Sequence, residues 1–155
     1  LENVASNLNE LQVTSPLLFE NTAGQGTSLG RNMEDLWKLL EACDSPRVGL
    51  CLDTQHMFAA GMCDMRETKA VQQLFEELPE DRKVIFHLND SLSSYRSKKD
   101  SHAIIGSGQI WDLDRPETFE SLDEFMRLCK ITERDFVLET PSPNLAEVVY
   151  FEGME

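Results

Sequence analysis

Four short apolar runs in this chain each stop at a side chain able to bind a metal or move a proton. "LLF" stops at Glu20, "VGLCL" at Asp53, "VIF" at His87 and "FVL" at Glu139. One polar residue after an apolar run is ordinary, because loops are polar. Four in succession, all carboxylate or imidazole, are not. If the runs are parallel strands of one sheet, their C-terminal ends lie at a single face and these side chains converge there. Carboxylates crowded in that way repel one another unless a divalent cation sits among them.

Further donors flank these strand ends. In "DTQH", Asp53 and His56 stand three apart, and in "DSH", Asp100 and His102 flank a single serine. All three histidines of the chain are therefore close in sequence to a carboxylate. Mixed imidazole and carboxylate donors suit zinc first, with manganese or iron also compatible. Glu20 opens the stretch "ENTAGQGTSLG", with glycines at 24, 26 and 30. Such a stretch either turns the chain or holds a phosphate. It lacks the lysine of a Walker-type nucleotide loop.

The elements that would position these groups are legible from spacing. Met33, Leu36, Trp37 and Leu40 recur on one helical face, with Asn32 as N-cap. Val71, Leu74, Phe75 and Leu78 repeat the pattern, as do Phe119, Leu122, Met126 and Cys129. Val4, Leu8 and Leu11 predict an N-terminal helix, and a shorter one is expected after Pro143 through Leu145, Val148 and Val149. The apolar runs between the helices lack polar alternation, as strands of a parallel sheet covered on both faces do. Strand and helix alternate, so the class is α/β with right-handed crossovers. The longest connection, from Leu88 to about Pro116, is of a length usually reserved for function or disorder.

Length and composition set the outer bounds. The chain has 155 residues, which suits one domain, and 41% hydrophobic residues, enough for a sizeable core. No apolar run approaches membrane-spanning length, so no membrane partner is expected. There is no basic-then-apolar leader, and the chain opens at Leu1 rather than methionine, so an upstream segment is expected. The four cysteines form no CxxC pair and read as reduced thiols of an intracellular protein, cytoplasmic, or nuclear or mitochondrial in a eukaryote. Cys51, inside an apolar run, reads as core. The net charge of -14 argues against a nucleic-acid partner on electrostatics alone. Bound metal cations, or local cations such as Arg96, Lys98 and Lys99, relax that objection.

Five motifs in order, "ENTAGQGTSLG", "GLCLDTQHMFAAG", "HLNDS", "DSHAIIGSGQI" and "LETP", closely resemble the endonuclease IV family of apurinic/apyrimidinic (AP) endonucleases. The likeness runs from about Ser15 to Pro141. It implies a TIM-type β/α barrel, of which residues 1–155 would be the C-terminal half, with about four β/α units of the usual eight. It implies a site of three zinc ions in a complete enzyme, monomeric, that acts on double-stranded DNA containing abasic sites. That enzyme hydrolyses the phosphodiester 5′ to the lesion and leaves a 3′-hydroxyl for base-excision repair. By motif, Glu20 would bridge two zincs, and Asp53, His87 and Glu139 would complete one of them. His56, Asp100 and His102 would hold the third. Glu20 and Glu139 would serve in catalysis, and Gln25 would lie near the DNA backbone.

The chain departs from the family pattern at several positions. Ser101 stands where arginine is common, Trp111 where glycine is usual, and Gln55 where cysteine is frequent. A half-barrel has two open sheet edges, so the isolated piece is expected to be inactive or to associate. Two other readings remain at this stage. One is a single-metal sugar isomerase or epimerase barrel, which has no need of the His56, Asp100 and His102 set. The other is a non-catalytic remnant that binds metal or DNA.

Overall fold

The computed structural model describes residues 2–10, 15–43 and 45–141. In chain order they form α1 (Glu2–Glu10), β1 (Leu17–Glu20), α2 (Met33–Ala42), β2 (Val48–Asp53), α3 (Thr54–Ala60), α4 (Thr68–Glu77) and β3 (Val84–Leu88). These are followed by β4 (Asp90–Ser91), β5 (His102–Ala103), a 3-10 turn (Pro116–Thr118), α5 (Phe119–Ile131) and β6 (Phe136–Leu138). The helix expected after Pro143 lies outside the described residues, as does Leu11.

Strands β1, β2, β3 and β6 make one sheet in that order, every pairing parallel. β2 is buried along its whole length, as a central apolar strand should be. β1 and β6 are only partly buried, and Val137 is exposed. The expectation of cover on both faces fails for these two because they are the outer strands of the sheet. The register sets Asp53 beside His87 and His87 beside Val137. Alternate side chains share a face, so Cys51, Asp53, Ile85 and His87 point to the same side.

The expected helix faces are the ones that pack. Leu36 and Leu40 of α2, Val71, Leu74 and Phe75 of α4, and Leu122, Phe125 and Cys129 of α5 join Leu50, Leu52, Phe86 and Leu88 in one core. The rings of Phe75, Phe86 and Phe125 meet at centroid distances of 4.9 to 5.7 Å, two pairs edge-on and one stacked, the geometries that aromatic quadrupoles favour. Asn32 caps α2 as its sequence position suggests, with Oδ1 accepting from the Asp35 N–H at 2.8 Å. All four cysteines are buried free thiols. Burial pushes those of Cys51, Cys63 and Cys129 up to about 12.

The long connection after β3 is ordered from within. β4 and β5 form a short antiparallel pair, Asp90 with Ala103 and Ser91 with His102. The Asp90 carboxylate, itself fully buried, accepts backbone N–H bonds from Ser91, Gly106, Gly108, Ile110 and Trp111. Trp111 is also fully buried, and its Nε1–H donates to Ser121 Oγ at 3.1 Å. The departure from glycine at this position thus places an indole in the core against α5.

Candidate metal centre

The four strand-end residues converge. His87 Nδ1 lies 3.0 Å from Glu20 Oε1, 3.0 Å from Glu139 Oε2 and 4.0 Å from Asp53 Oδ2. Glu20, Asp53, His87 and Glu139 each offer a donor atom within 4.8 Å of the others, so the set is able to hold a metal ion. Glu20 lies two residues earlier in register than Asp53, and its longer side chain makes up the difference. Cys51 points at the same cluster from β2, grouping with Glu20 and His87. Burial first, then the Glu20, Asp53 and Glu139 carboxylates, push its thiol up.

A second set stands beside the first. His56 Nε2 and His102 Nε2 face each other at 3.4 Å. Asp100 Oδ1 lies 3.4 Å from the former and 3.5 Å from the latter. Asp53 Oδ2 lies 3.6 Å from His102 Nε2, so Asp53 touches both sets. The other ring nitrogens are committed. His56 Nδ1 is 2.9 Å from the Asn21 carbonyl and His102 Nδ1 is 3.2 Å from the Glu139 carbonyl. A carbonyl only accepts, so each Nδ1 carries a proton, and a neutral ring held in this way presents its lone pair at Nε2. With both rings neutral, two lone pairs and a carboxylate oxygen point at one spot, an arrangement suited to a cation. Fixing the tautomer through the far nitrogen is how proteins orient histidine ligands.

Comparison with known proteins gives the family of the fold that carries these donors. Residues 1–154 match the model of the xylose isomerase-like TIM barrel family. The chain belongs to that family. Among the members of this barrel family, it is 39% identical over 150 residues to a probable endonuclease 4 of Natronomonas pharaonis, covering 93% of this chain and 51% of that protein. A probable endonuclease 4 of Chlorobium phaeobacteroides is 36% identical over 156 residues, covering 94% and 51%. The crystal structure of endonuclease IV from Thermus thermophilus superposes with a TM-score of 0.68 at 31% identity, over 88% of this chain and 47% of that one. The chain spans about half the length of the curated relatives it matches. Its four-stranded parallel sheet is accordingly part of a TIM barrel, and its likeness is to the endonuclease IV members of the family.

The barrel also supplies residues that spacing alone did not reveal. Asp53 Oδ1 caps α3 through the His56 N–H at 2.8 Å, which fixes two donors with one bond. Asn21 binds the Asp53 backbone from both ends, its Oδ1 accepting the N–H at 2.6 Å and its Nδ2 donating to the carbonyl at 3.2 Å. Asn89 links the strands, with Nδ2 donating to Asp53 Oδ2 at 2.6 Å and Oδ1 accepting from the Glu139 N–H at 3.2 Å. Thr54 Oγ1 closes the network on the Asn89 backbone. Asn21, Asp53, Thr54 and Asn89 are all at most 1% exposed. The sequence signal was present, since each polar residue directly adjoins a strand end. Gln25 stands exposed on the glycine-rich loop, where Gly24, Gly26 and Gly30 all take positive φ.

Proposed function

We propose that this chain carries a zinc centre and the catalytic carboxylates of an AP endonuclease, which hydrolyses the phosphodiester 5′ to abasic sites in double-stranded DNA and leaves a 3′-hydroxyl. One observation carries the reading: the facing Nε2 atoms of His56 and His102, 3.4 Å apart with Asp100 beside them. That donor set fits zinc, whose ligands are imidazole nitrogens and carboxylates. Asp53, His87 and Glu139 would hold one ion, Glu20 would bridge to the next, and His56, Asp100 and His102 would hold another. The endonuclease names of the relatives support the choice of substrate. A single-metal isomerase leaves this second donor set without a task.

When bound, zinc supplies the charge that offsets the phosphodiester and lowers the pKa of water at the site. The chain's own groups divide the remaining work. Buried Asp53 is held by Asn89 and by the first turn of α3, so its carboxylate is oriented in advance. Glu20 and Glu139, with side chains 40% and 52% exposed, reach the solvent side and orient the attacking water. Glu139 takes up the water's proton as the water oxygen bonds to phosphorus, the bond from phosphorus to the 3′ oxygen breaks, and that oxygen leaves as the 3′-hydroxyl with a proton from solvent. An abasic gap has no base to unpair, which lowers the cost of extruding the nucleotide towards the metal centre.

The test is incision of a duplex with one abasic site by the protein that carries this chain. The expected product is a strand cut 5′ to the lesion that a DNA polymerase extends directly. A cut on the 3′ side, or an end that resists extension, would overturn the proposal. A supporting residue gives a second test. Asn89→Ala is expected to weaken zinc binding by about 10–100-fold with the far-ultraviolet circular dichroism unchanged. Unaltered zinc affinity in a dye competition would remove Asn89 from the account.

A further inference from the structure

A sulfur lies against the first donor set. Two residues back along β2 from Asp53, Cys51 stands directly across from Glu20 in the parallel register. Alternate residues of a strand share a face, so its thiol points to the same side as the Asp53 carboxylate. The Cys51 sulfur, a Glu20 carboxylate oxygen and a ring nitrogen of His87 all lie within 4.8 Å of one another. The set at the strand ends, Glu20, Asp53, His87 and Glu139, uses two of the same residues. The two sets therefore overlap. Both draw on Glu20 and His87; one adds two carboxylates and the other adds a sulfur.

This placement sets Cys51 apart from the other thiols. Cys43, Cys63 and Cys129 pack in the main apolar cluster, and Cys51, though only 5% exposed, lies outside it. Among the described residues, none of those three joins a group of ligand-capable side chains. The donor types then decide which ion each set suits. Carboxylate oxygens favour harder cations, whereas a thiolate selects soft ones. Zinc is borderline and accepts nitrogen, oxygen or sulfur, and the strand-end set offers it four donors against three. A softer ion such as cadmium gains more from the one sulfur than from the two further carboxylates.

We infer that Cys51, Glu20 and His87 form a site for a soft divalent cation such as cadmium, which overlaps the zinc centre and competes with it. The inference rests on the zinc-centre reading above. The thiol proton passes to solvent as the bond from sulfur to the metal forms. An ion held there takes up Glu20 and His87, and the strand-end set keeps only Asp53 and Glu139. The soft metal thus displaces a zinc ion instead of adding to it.

The test is titration of the zinc-loaded protein that carries this chain with cadmium. Binding is followed by the ultraviolet sulfur-to-cadmium charge-transfer band, and zinc content is measured after desalting. The band is expected to grow as zinc leaves. Loss of a group that merely supports a metal ligand costs about 10–100-fold in affinity, and loss of a direct ligand costs no less, so Cys51→Ser is expected to lower the preference for cadmium over zinc by about 100-fold. Cys51→Ser should also abolish the band, whereas Cys63→Ser should keep it, with far-ultraviolet circular dichroism confirming that both variants are folded. Cadmium NMR of the parent needs no variant, since a sulfur ligand moves the resonance well downfield of a site built from nitrogen and oxygen alone. A band unaltered in Cys51→Ser, or a resonance without the sulfur shift, overturns the sulfur site. If the protein holds zinc but cadmium brings no band, the sulfur site falls and the zinc centre stands. If the band depends on Cys51 but zinc neither binds nor is displaced, the zinc centre falls and the sulfur site stands.

Discussion

His87→Ala is expected to remove about one zinc ion per chain and to lower abasic-site incision by roughly 100-fold or more, since catalysis by bound metal depends on a fixed ligand set. His87 Nδ1 is the point on which Glu20 and Glu139 both close at 3.0 Å. Without the imidazole, three carboxylates share the first donor set with no nitrogen ligand among them. His102→Ala should remove zinc from the other set, because the His56 lone pair would then face only Asp100. Elemental analysis of both variants, alongside incision assays on the same preparations, checks the pair. The variants should differ in which ion is lost and agree in losing incision. Full zinc content in His87→Ala, or full incision without the ion, would mean that these side chains meet for another reason.

The second large effect is on stability. Asp90→Asn is expected to cost about 3 kcal/mol, since at least two of the buried N–H groups now bound to the carboxylate would face an amide NH₂ instead, at roughly 1–3 kcal/mol each. Asp90 holds five backbone N–H groups, among them those of Gly106, Gly108 and Ile110. Burial pushes its carboxyl up to about 6 while those donors pull it back. The contact at Gly108 is so close that an added Cβ would run into the carboxylate, leaving no room for a rearranged side chain. For a chain of this size the loss corresponds to a melting temperature lower by about 10 °C. Thermal unfolding followed by circular dichroism is the check. A shift within about 1 °C would show that the segment from Gly106 to Trp111 is held by something other than Asp90.

The sequence revealed the part of this molecule in which residue type and place coincide. Each central strand announces itself by an apolar run, and each ligand-capable residue sits where that run ends. Helices α2, α4 and α5 follow from their apolar faces, and Asn32 from its capping position. Helix α3 was hidden because its sequence, TQHMFAA, is buried on nearly all sides and shows no amphipathic period. The pairing of β4 with β5 was hidden because strands of two residues carry no pattern. Resemblance assigned His56, Asp100 and His102 to one ion, and the geometry brings them together. It adds that Asp53 reaches across to His102 at 3.6 Å, a contact between residues 49 positions apart that no local spacing encodes. Gln55 stands where cysteine is frequent, and its amide ties α3 to the loop that bears Lys99. Long-range hydrogen bonding of this kind depends on the topology, which brings Asn21, Asp53 and Asn89 together only after the parallel sheet has formed.

The most direct test of the central claim is removal and return of the metal in the protein that carries this chain. Its zinc is stripped with a chelator, abasic-site incision is measured, and zinc is then added back in steps. The account predicts that incision disappears with the metal and returns as the two donor sets around His87 and His102 refill. Incision indifferent to the chelator, or a folded and zinc-loaded protein that leaves the abasic strand intact, would contradict it.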